Sequence, residues 1–520
     1  MSKKAAKKAA AKAAKEAKKA ANAAARGQKQ GGAAEEEDDP LKANYGKLPL
    51  MNSSVKTGRT WTNVCDVGSS MAGTRILVRA RVHAVRGKGK SAFLVLRQRT
   101  ATVQAVMFAD GEHISKPMVK FASNLTKESV VDVSAEVVKP DSPVTGCSQS
   151  DVELNVRTIH LVSAADPNLP FLMEDACRSD TLLNEEGSQY VRVGQDTRLD
   201  NRVLDLRTPA NMAIFTVQSG VCALFREILM SKGFQEIHTP KLIGGTSEGG
   251  ANVFRIDYFD RKGCLAQSPQ LYKQMAICGD FERVFEIAPV FRAENSFTHR
   301  HMCEFTGLDF EMMIHEHYHE VLDVISDLFI YMFDGLNARY AKELAVINEQ
   351  HPFEPLEYLR PTLRLTFKEG CDMLKEHGVD QDPHGDLDTP TEKLLGKLVK
   401  EKYKTDFYIL EKYPASVRPF YTMPCPEDKN LSNSFDVFIR GEEIISGAQR
   451  IHDTELLRKR AVECGMEVEG IQSYIDSFKY GAVPHGGCGV GMERVIMLFC
   501  ALGNIRKSSM FPRDPKRLTP

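Results

Sequence analysis

The chain has 520 residues, 42% of them hydrophobic and 26% charged, the composition of a soluble globular protein too long for one ordinary core. No apolar run approaches the roughly 18 residues of a membrane span, and the twelve cysteines form no CxxC pair, so reduced thiols and a cytoplasmic location are expected. The net charge of −1 conceals an asymmetry: residues 1–30 hold nine lysines and Arg26 against a single Glu16, a surplus of +9 that leaves −10 for the rest.

A basic arm on an acidic body suits a polyanionic partner. Residues 1–25 are almost entirely Ala and Lys, and at about 100° per residue their lysines and Arg26 fall within half of a helix circumference. A partly helical or disordered extension that tightens against phosphate is expected, with a solvated tail as the alternative. Gly27, Gly31, Gly32 and the acidic run at 35–39 continue it as a flexible linker to residue 59.

From 60 to 165 the pattern turns to short strands. Ile76, Val78, Ala80 and Val82 alternate with polar neighbours, and strands follow at 93–96, 103–108, 131–137 and 152–156, with a helix near 116–125. Five strands with a helix between the third and fourth predict an OB-type β-barrel. Its outward face is expected to carry Arg79, Arg81, Arg97 and Gln104 beside Phe93, a set suited to single-stranded nucleic acid because bases stack while cations neutralise phosphate. A barrel used only for protein contacts is the alternative. Residues 166–200, spotted with Pro, Asp and Ser, read as a hinge. From 201 to 520, helical patterns at 212–232, 319–350 and 391–402 mixed with strands predict an α+β body.

Three segments of that body carry chemistry. Gly233-Phe234-Gln235-Glu236-Ile237-His238-Thr239-Pro240 ends a long helix and runs extended into a proline, ordinary punctuation when taken alone. Val284 to Glu294 and Glu304 to Asp309 are strands flanking a polar loop; such a hairpin can set Arg292 on one phosphate and Arg300 and His301 on others, with Phe305 free to stack on a base. Gly487-Cys488-Gly489-Val490-Gly491-Met492-Glu493-Arg494 brings alternate glycines to a helix start that opens on arginine, where both the helix N-terminus and the guanidinium favour phosphate.

In this order the three segments resemble motifs 1, 2 and 3 of the class II aminoacyl-tRNA synthetases, and across residues 60–520 the chain resembles the aspartyl-tRNA synthetases of the eukaryotic and archaeal type. The resemblance implies an N-terminal OB barrel for the anticodon and a catalytic domain with an antiparallel sheet flanked by helices. It implies ATP and Mg²⁺ as cofactors, and L-aspartate and tRNA(Asp) as partners. A homodimer through motif 1 with Pro240 follows from it too, while membership of a multi-synthetase complex is left open. By the same resemblance Arg292 and Arg494 are catalytic; Glu294, Arg300, His301, Met302, Phe305, Glu443, Gly491, Met492 and Glu493 complete the ATP site; and Asp436 and Glu443 hold the metal, hard oxygen ligands being what magnesium prefers. Phe93, Gln104 and Glu153 are assigned to the anticodon.

The amino acid can be argued on charge. Lys273, in Gln267-Ser268-Pro269-Gln270-Leu271-Tyr272-Lys273, and Arg450, after Ser446-Gly447-Ala448-Gln449, are two cations that fit a carboxylate, give an amide no matching acceptor and repel an ammonium group. The resemblance places both on the substrate side chain, Ser268, Gln270 and Asp309 on its α-amino group, Ser446 nearby, and Glu248 on a closing loop. The alternatives are an asparaginyl enzyme of the same fold and a non-catalytic tRNA-binding factor.

Overall fold

The computed structural model describes residues 39–247, 252–466 and 468–520. The arm of residues 1–38 and Glu248 lie outside the described residues. The chain divides into two compact units, Met1–Leu169 and Pro170–Pro520.

In the first unit, β1 (Tyr45–Lys47), β2 (Arg75–Lys88), β3 (Ser91–Gln98), β4 (Ala101–Phe108), β5 (Val130–Val138) and β6 (Glu153–Ser163) lie in the order β1-β6-β4-β3-β2-β5. β6 also pairs with β5, which closes the sheet into a barrel and removes its edges. The alternation read from the sequence fills the interior: Ile76, Val78, Ala80 and Val82 are buried beside Leu94, Leu96, Val103, Val131 and Leu154. The helix Lys116–Ser123 is capped by Ser115, whose Oγ accepts from the Met118 amide at 3.2 Å, and it buries Met118, Val119 and Ala122. β1 falls in the stretch read as linker; three residues are too few for alternation to stand out.

The basic outward face needs correction at Arg97, which is only 5% exposed and holds Glu128 bidentately at 2.6 and 2.7 Å. Arg79 grips Asp132 with two nitrogens, Nε on one carboxylate oxygen at 2.7 Å and Nη2 on the other at 2.8 Å. Their carboxylates lie 31 and 53 residues away, so local sequence gave no sign that these cations are already paired, Arg97 inside the fold and Arg79 on its surface. Phe93, Gln104 and Glu153 do share one face: Val95 pairs with Gln104 and Gln104 with Glu153, and the Gln104 amide donates to the Glu153 carboxylate.

The second unit holds a small sheet of β8 (Leu242–Ile243), β9 (Arg255–Tyr258) and β10 (Arg261–Leu265) and one large sheet. The large sheet combines β7 (Gln235–Glu236), β11 (Arg283–Phe291), β12 (Glu304–Met313), β13 (Leu363–Thr366), β14 (Phe407–Glu411), β15 (Ser434–Ile439), β16 (Glu442–Gln449) and β17 (His485–Gly491), ordered β13-β14-β15-β16-β17-β12-β11-β7. All neighbours are antiparallel except the pairs β7–β11 and β13–β14. The helix Pro209–Ser231 is long and apolar enough to cross a membrane by length and composition, but its stripe of Ile214, Val217, Val221, Leu224 and Phe225 is packed into the core with the helix His319–Arg339.

The helical pattern at 319–350 is two helices, His319–Arg339 and Ala341–Gln350, interrupted at Tyr340. The Tyr340 ring lies where a Cβ on Gly220 would be, within 2.6 Å, so close packing of the ring on the long helix fixes the break. Residues 170–200 carry the short helices Met173–Ala176, Asp180–Asn184 and Gln195–Asp200 as part of this unit.

Candidate active site

A cavity of about 390 Å³ opens over β11, β12, β16 and β17. It is lined by Ser268, Gln270, Arg292, Glu294, Arg300, His301, Met302, Phe305, Asp309, Glu443, Ser446, Arg450, Gly491, Glu493 and Arg494, thus by most residues singled out from sequence. Met492, Lys273 and Asp436 do not line it. Met492 and Lys273 are buried behind the wall, and Asp436 is held by another side chain.

One end is cationic. β11 and β12 run in register from Arg283–Met312 to Phe291–Glu304, and the Arg292 amide adds a further rung by donating to the Cys303 carbonyl at 2.9 Å. This rigid base carries the Arg292 guanidinium 5.6 Å from the Phe305 ring centroid, a cation over an aromatic face. Arg494, at the start of the helix Met492–Phe499, donates to the Glu443 carbonyl at 2.8 Å. Burial and the nearby Arg300 and Arg292 hold the Arg494 guanidinium below its usual range despite Glu443, so the cluster favours an incoming anion. Burial and Arg494 likewise push the His301 imidazole down.

The glycines of β17 divide by role. A Cβ on Gly487 would lie 2.1 Å from the Phe310 carbonyl, so the neighbouring backbone demands glycine there, while one on Gly489 would crowd Asp309 Oδ1 at 3.0 Å. At Gly491 the nearest atom is Arg494 Cβ at 3.7 Å, and the backbone stays open to the cavity.

The other end is a buried charge cluster. Lys273 Nζ donates to Asp309 Oδ1 at 3.0 Å and to the Cys488 carbonyl at 3.0 Å, and it lies 3.4 Å from Glu311 Oε2. Arg450 grips Glu311 through Nε at 2.9 Å and Nη2 at 3.2 Å. Burial opposes ionisation of Glu311, yet Arg450 and Lys273 hold its carboxyl below the usual range. Sequence reading missed Glu311, although its spacing from Asp309 on an apolar strand was a signal: both point to one face.

The sequence model of the family described as tRNA synthetases class II (D, K and N) matches residues 194–515, and that of the OB-fold nucleic acid binding domain matches residues 76–162. The chain belongs to the class II aminoacyl-tRNA synthetases. It is 56% identical to the human cytoplasmic aspartate–tRNA ligase, over 93% of this chain and 96% of that one. Against the cytoplasmic aspartate–tRNA ligase 1 of Arabidopsis thaliana it is 55% identical, over 94% and 92%. Among solved structures it resembles the aspartyl-tRNA synthetase of Entamoeba histolytica, with a TM-score of 0.84, 48% identity and coverage of 92% and 96%. The asparaginyl-tRNA synthetase of Pyrococcus horikoshii gives 0.76 and 29%, with coverage of 89% and 100%.

Two further residues shape this synthetase site without having stood out in the sequence. Arg418 lines the cavity, takes both Asp436 oxygens at 2.9 and 2.7 Å and donates to Ser446 Oγ at 2.7 Å. Glu392 receives the Arg300 guanidinium, while His299 meets Glu442 at 3.0 Å, so the loop between β11 and β12 is latched at two points. Motif 1 is tied to β11, whose buried Glu286 accepts from the Thr239 amide at 2.8 Å and its hydroxyl at 2.7 Å, which fixes the turn before the exposed Pro240.

Burial, with Glu443 nearby and partly offset by Arg300, pushes the Glu392 carboxyl up to about 7. A carboxyl raised on folding contributes stability that is complete below its unfolded value and lost as pH rises through the folded one. The Tm of the wild type should therefore fall between about pH 4.5 and about pH 7 more steeply than that of Glu392→Gln, by no more than about 3 kcal/mol of stability. Parallel melting profiles for the two proteins would refute this.

Proposed function

We propose that the chain activates L-aspartate with ATP and transfers it to the 3′ end of tRNA(Asp), in the cytoplasm and as a homodimer. The observation that carries the choice of amino acid is the convergence of Lys273 and Arg450 on Glu311 at one end of the cavity. Two buried cations beside Asp309 suit a substrate that brings a side-chain carboxylate and an α-ammonium group together. Asparagine would offer an amide with no charge for the cations to meet.

In this reading the aspartate α-carboxylate attacks the ATP α-phosphorus in line and pyrophosphate departs; the terminal ribose hydroxyl of the tRNA then attacks the aspartyl-adenylate. No enzyme nucleophile is needed, because positioning and charge neutralisation do most of the work in such transfers. Arg292 takes the α-phosphate, Arg300, His301 and Arg494 the pyrophosphate, and Phe305 stacks on adenine. Ser268, Gln270 and Asp309 receive the α-ammonium group.

Magnesium fits the donor set present. Glu443 faces the cavity, its carboxylate accepts no hydrogen bond from the described residues, and burial with Asp436 nearby pushes its pKa up, a position a cation would relieve. Glu443 would hold the ion with Ser446 beside it, and it would neutralise phosphate charge; Asp436 would join them only by giving up Arg418, which takes both of its oxygens. Phe93, Gln104 and Glu153 are assigned to the anticodon, and the basic arm to tRNA phosphates, where contacts add affinity without reading sequence.

Charging purified tRNA(Asp) and tRNA(Asn) side by side tests the assignment. Aspartate esterified to tRNA(Asp) is expected. Asparagine delivered to tRNA(Asn) would make the chain an asparaginyl enzyme, and no charging with any amino acid would make it a binding factor.

A further inference from the structure

Behind Gln270 lies a chain of buried polar side chains that none of the roles above uses. His485 opens β17 and is fully buried, its ring centroid 6.0 Å from that of Phe478. Its Nδ1 lies 2.7 Å from the Val483 carbonyl, and its Nε2 lies 3.0 Å from Gln274 Nε2. Gln274 sits one turn after Gln270 on the helix Gln270–Cys278, and its Oε1 lies 2.9 Å from Gln270 Nε2 and 3.0 Å from the Tyr474 hydroxyl.

Amide and imidazole groups can each be turned over, so the direction of such a chain must be set by a group that cannot. That group is the Val483 carbonyl, which only accepts. Nδ1 of His485 must therefore carry the proton that it donates there. Burial holds the imidazole below its usual range, against Glu311 and with Arg450 and His452 adding to the effect, so the ring is neutral and Nε2 is left with a lone pair. Only the NH₂ side of Gln274 can face that lone pair. Its oxygen then faces Gln270 and Tyr474, both of which donate to it. One N–H of Gln270 is used there, which turns the NH₂ side of the amide to Gln274 and leaves its oxygen for the cavity that Gln270 lines.

We propose that His485 is a positioning residue which, through Gln274, fixes the Gln270 amide with its oxygen towards the substrate α-ammonium group. This rests on the reading of Ser268 and Gln270 as the amino-acid end of the site. Without the anchor at His485, nothing on this path prevents the two amides from turning over. Gln270 would then offer NH₂ to an ammonium group, a donor against a donor.

The test uses the full-length protein in ATP–pyrophosphate exchange, with L-aspartate as substrate and succinate, which lacks the α-amino group, as competitive inhibitor. His485→Phe keeps a ring but removes the lone pair. It should raise the KM for aspartate by about tenfold or more, the scale of one charge-assisted hydrogen bond, and leave the KM for ATP and the inhibition by succinate within about twofold. Gln274→Glu still accepts from Gln270 and Tyr474 and should retain most of the affinity for aspartate, whereas Gln274→Met should reproduce the asymmetry of His485→Phe even if that variant folds poorly. Equal weakening of aspartate and succinate would overturn the proposal, because a distorted pocket does not distinguish them. An unchanged KM for aspartate in both His485→Phe and Gln274→Met would overturn it as well. Aspartate-dependent exchange by the wild type separates these failures from failure of the site reading, whose loss would take the proposal with it.

Discussion

Replacing Arg292 by alanine is expected to lower aspartate-dependent pyrophosphate exchange by at least about 100-fold, the scale of one preorganised charge donor at a reacting centre. The guanidinium is carried by the last rung of the β11–β12 hairpin, set against the Phe305 ring, and lines the cavity beside Arg300 and Arg494. Its position is thus established before substrate arrives, and charge that develops on the α-phosphate meets it without reorganisation. Because Arg494 and Arg300 remain, ATP binding should suffer less than turnover. Exchange at a near wild-type rate by a folded Arg292→Ala protein would remove Arg292 from the reaction.

Lys273→Leu is expected to cut kcat/KM for aspartate by about 10- to 150-fold, the scale of the charge-assisted hydrogen bond by which Lys273 neutralises Asp309 at the back of the site. The buried cluster explains why. Lys273 and Arg450 are balanced by Asp309 and Glu311, with Lys273 contacting both carboxylates. Leucine there leaves Glu311 to Arg450 alone and tilts the cluster by one negative charge, which opposes an incoming side-chain carboxylate. Asparagine brings no such charge and should lose much less, so discrimination narrows. Equal losses for both amino acids would show that Lys273 does not read the side chain.

What sequence disclosed and what it withheld divide along chain distance. The barrel was legible because its strands alternate locally, and the hairpin because Arg292 and Phe305 lie on two apolar runs joined by a polar loop. Side-chain partners were not legible. Arg450 and Glu311 are 139 residues apart, Arg300 and Glu392 are 92, and Gln274 and His485 are 211. Such pairs become neighbours only when the large sheet assembles and the helices Gln270–Cys278 and Thr389–Tyr403 pack on it. For the same reason Lys273 was placed facing the substrate, whereas the sheet sets it behind the cavity wall, holding the carboxylates beneath it. Arg97 looked like a surface cation because the partner that buries it, Glu128, lies beyond the next strand and a helix.

The central claim is the identity of the amino acid, and ATP–pyrophosphate exchange by the purified full-length protein with L-aspartate, L-asparagine and L-lysine in parallel tests it most directly. Exchange should depend on aspartate, with kcat/KM for the other two lower by at least about 100-fold, since a site built around a charged group rejects analogues that lack it or reverse it. Faster exchange with asparagine than with aspartate, or no exchange with any of the three, would contradict the account.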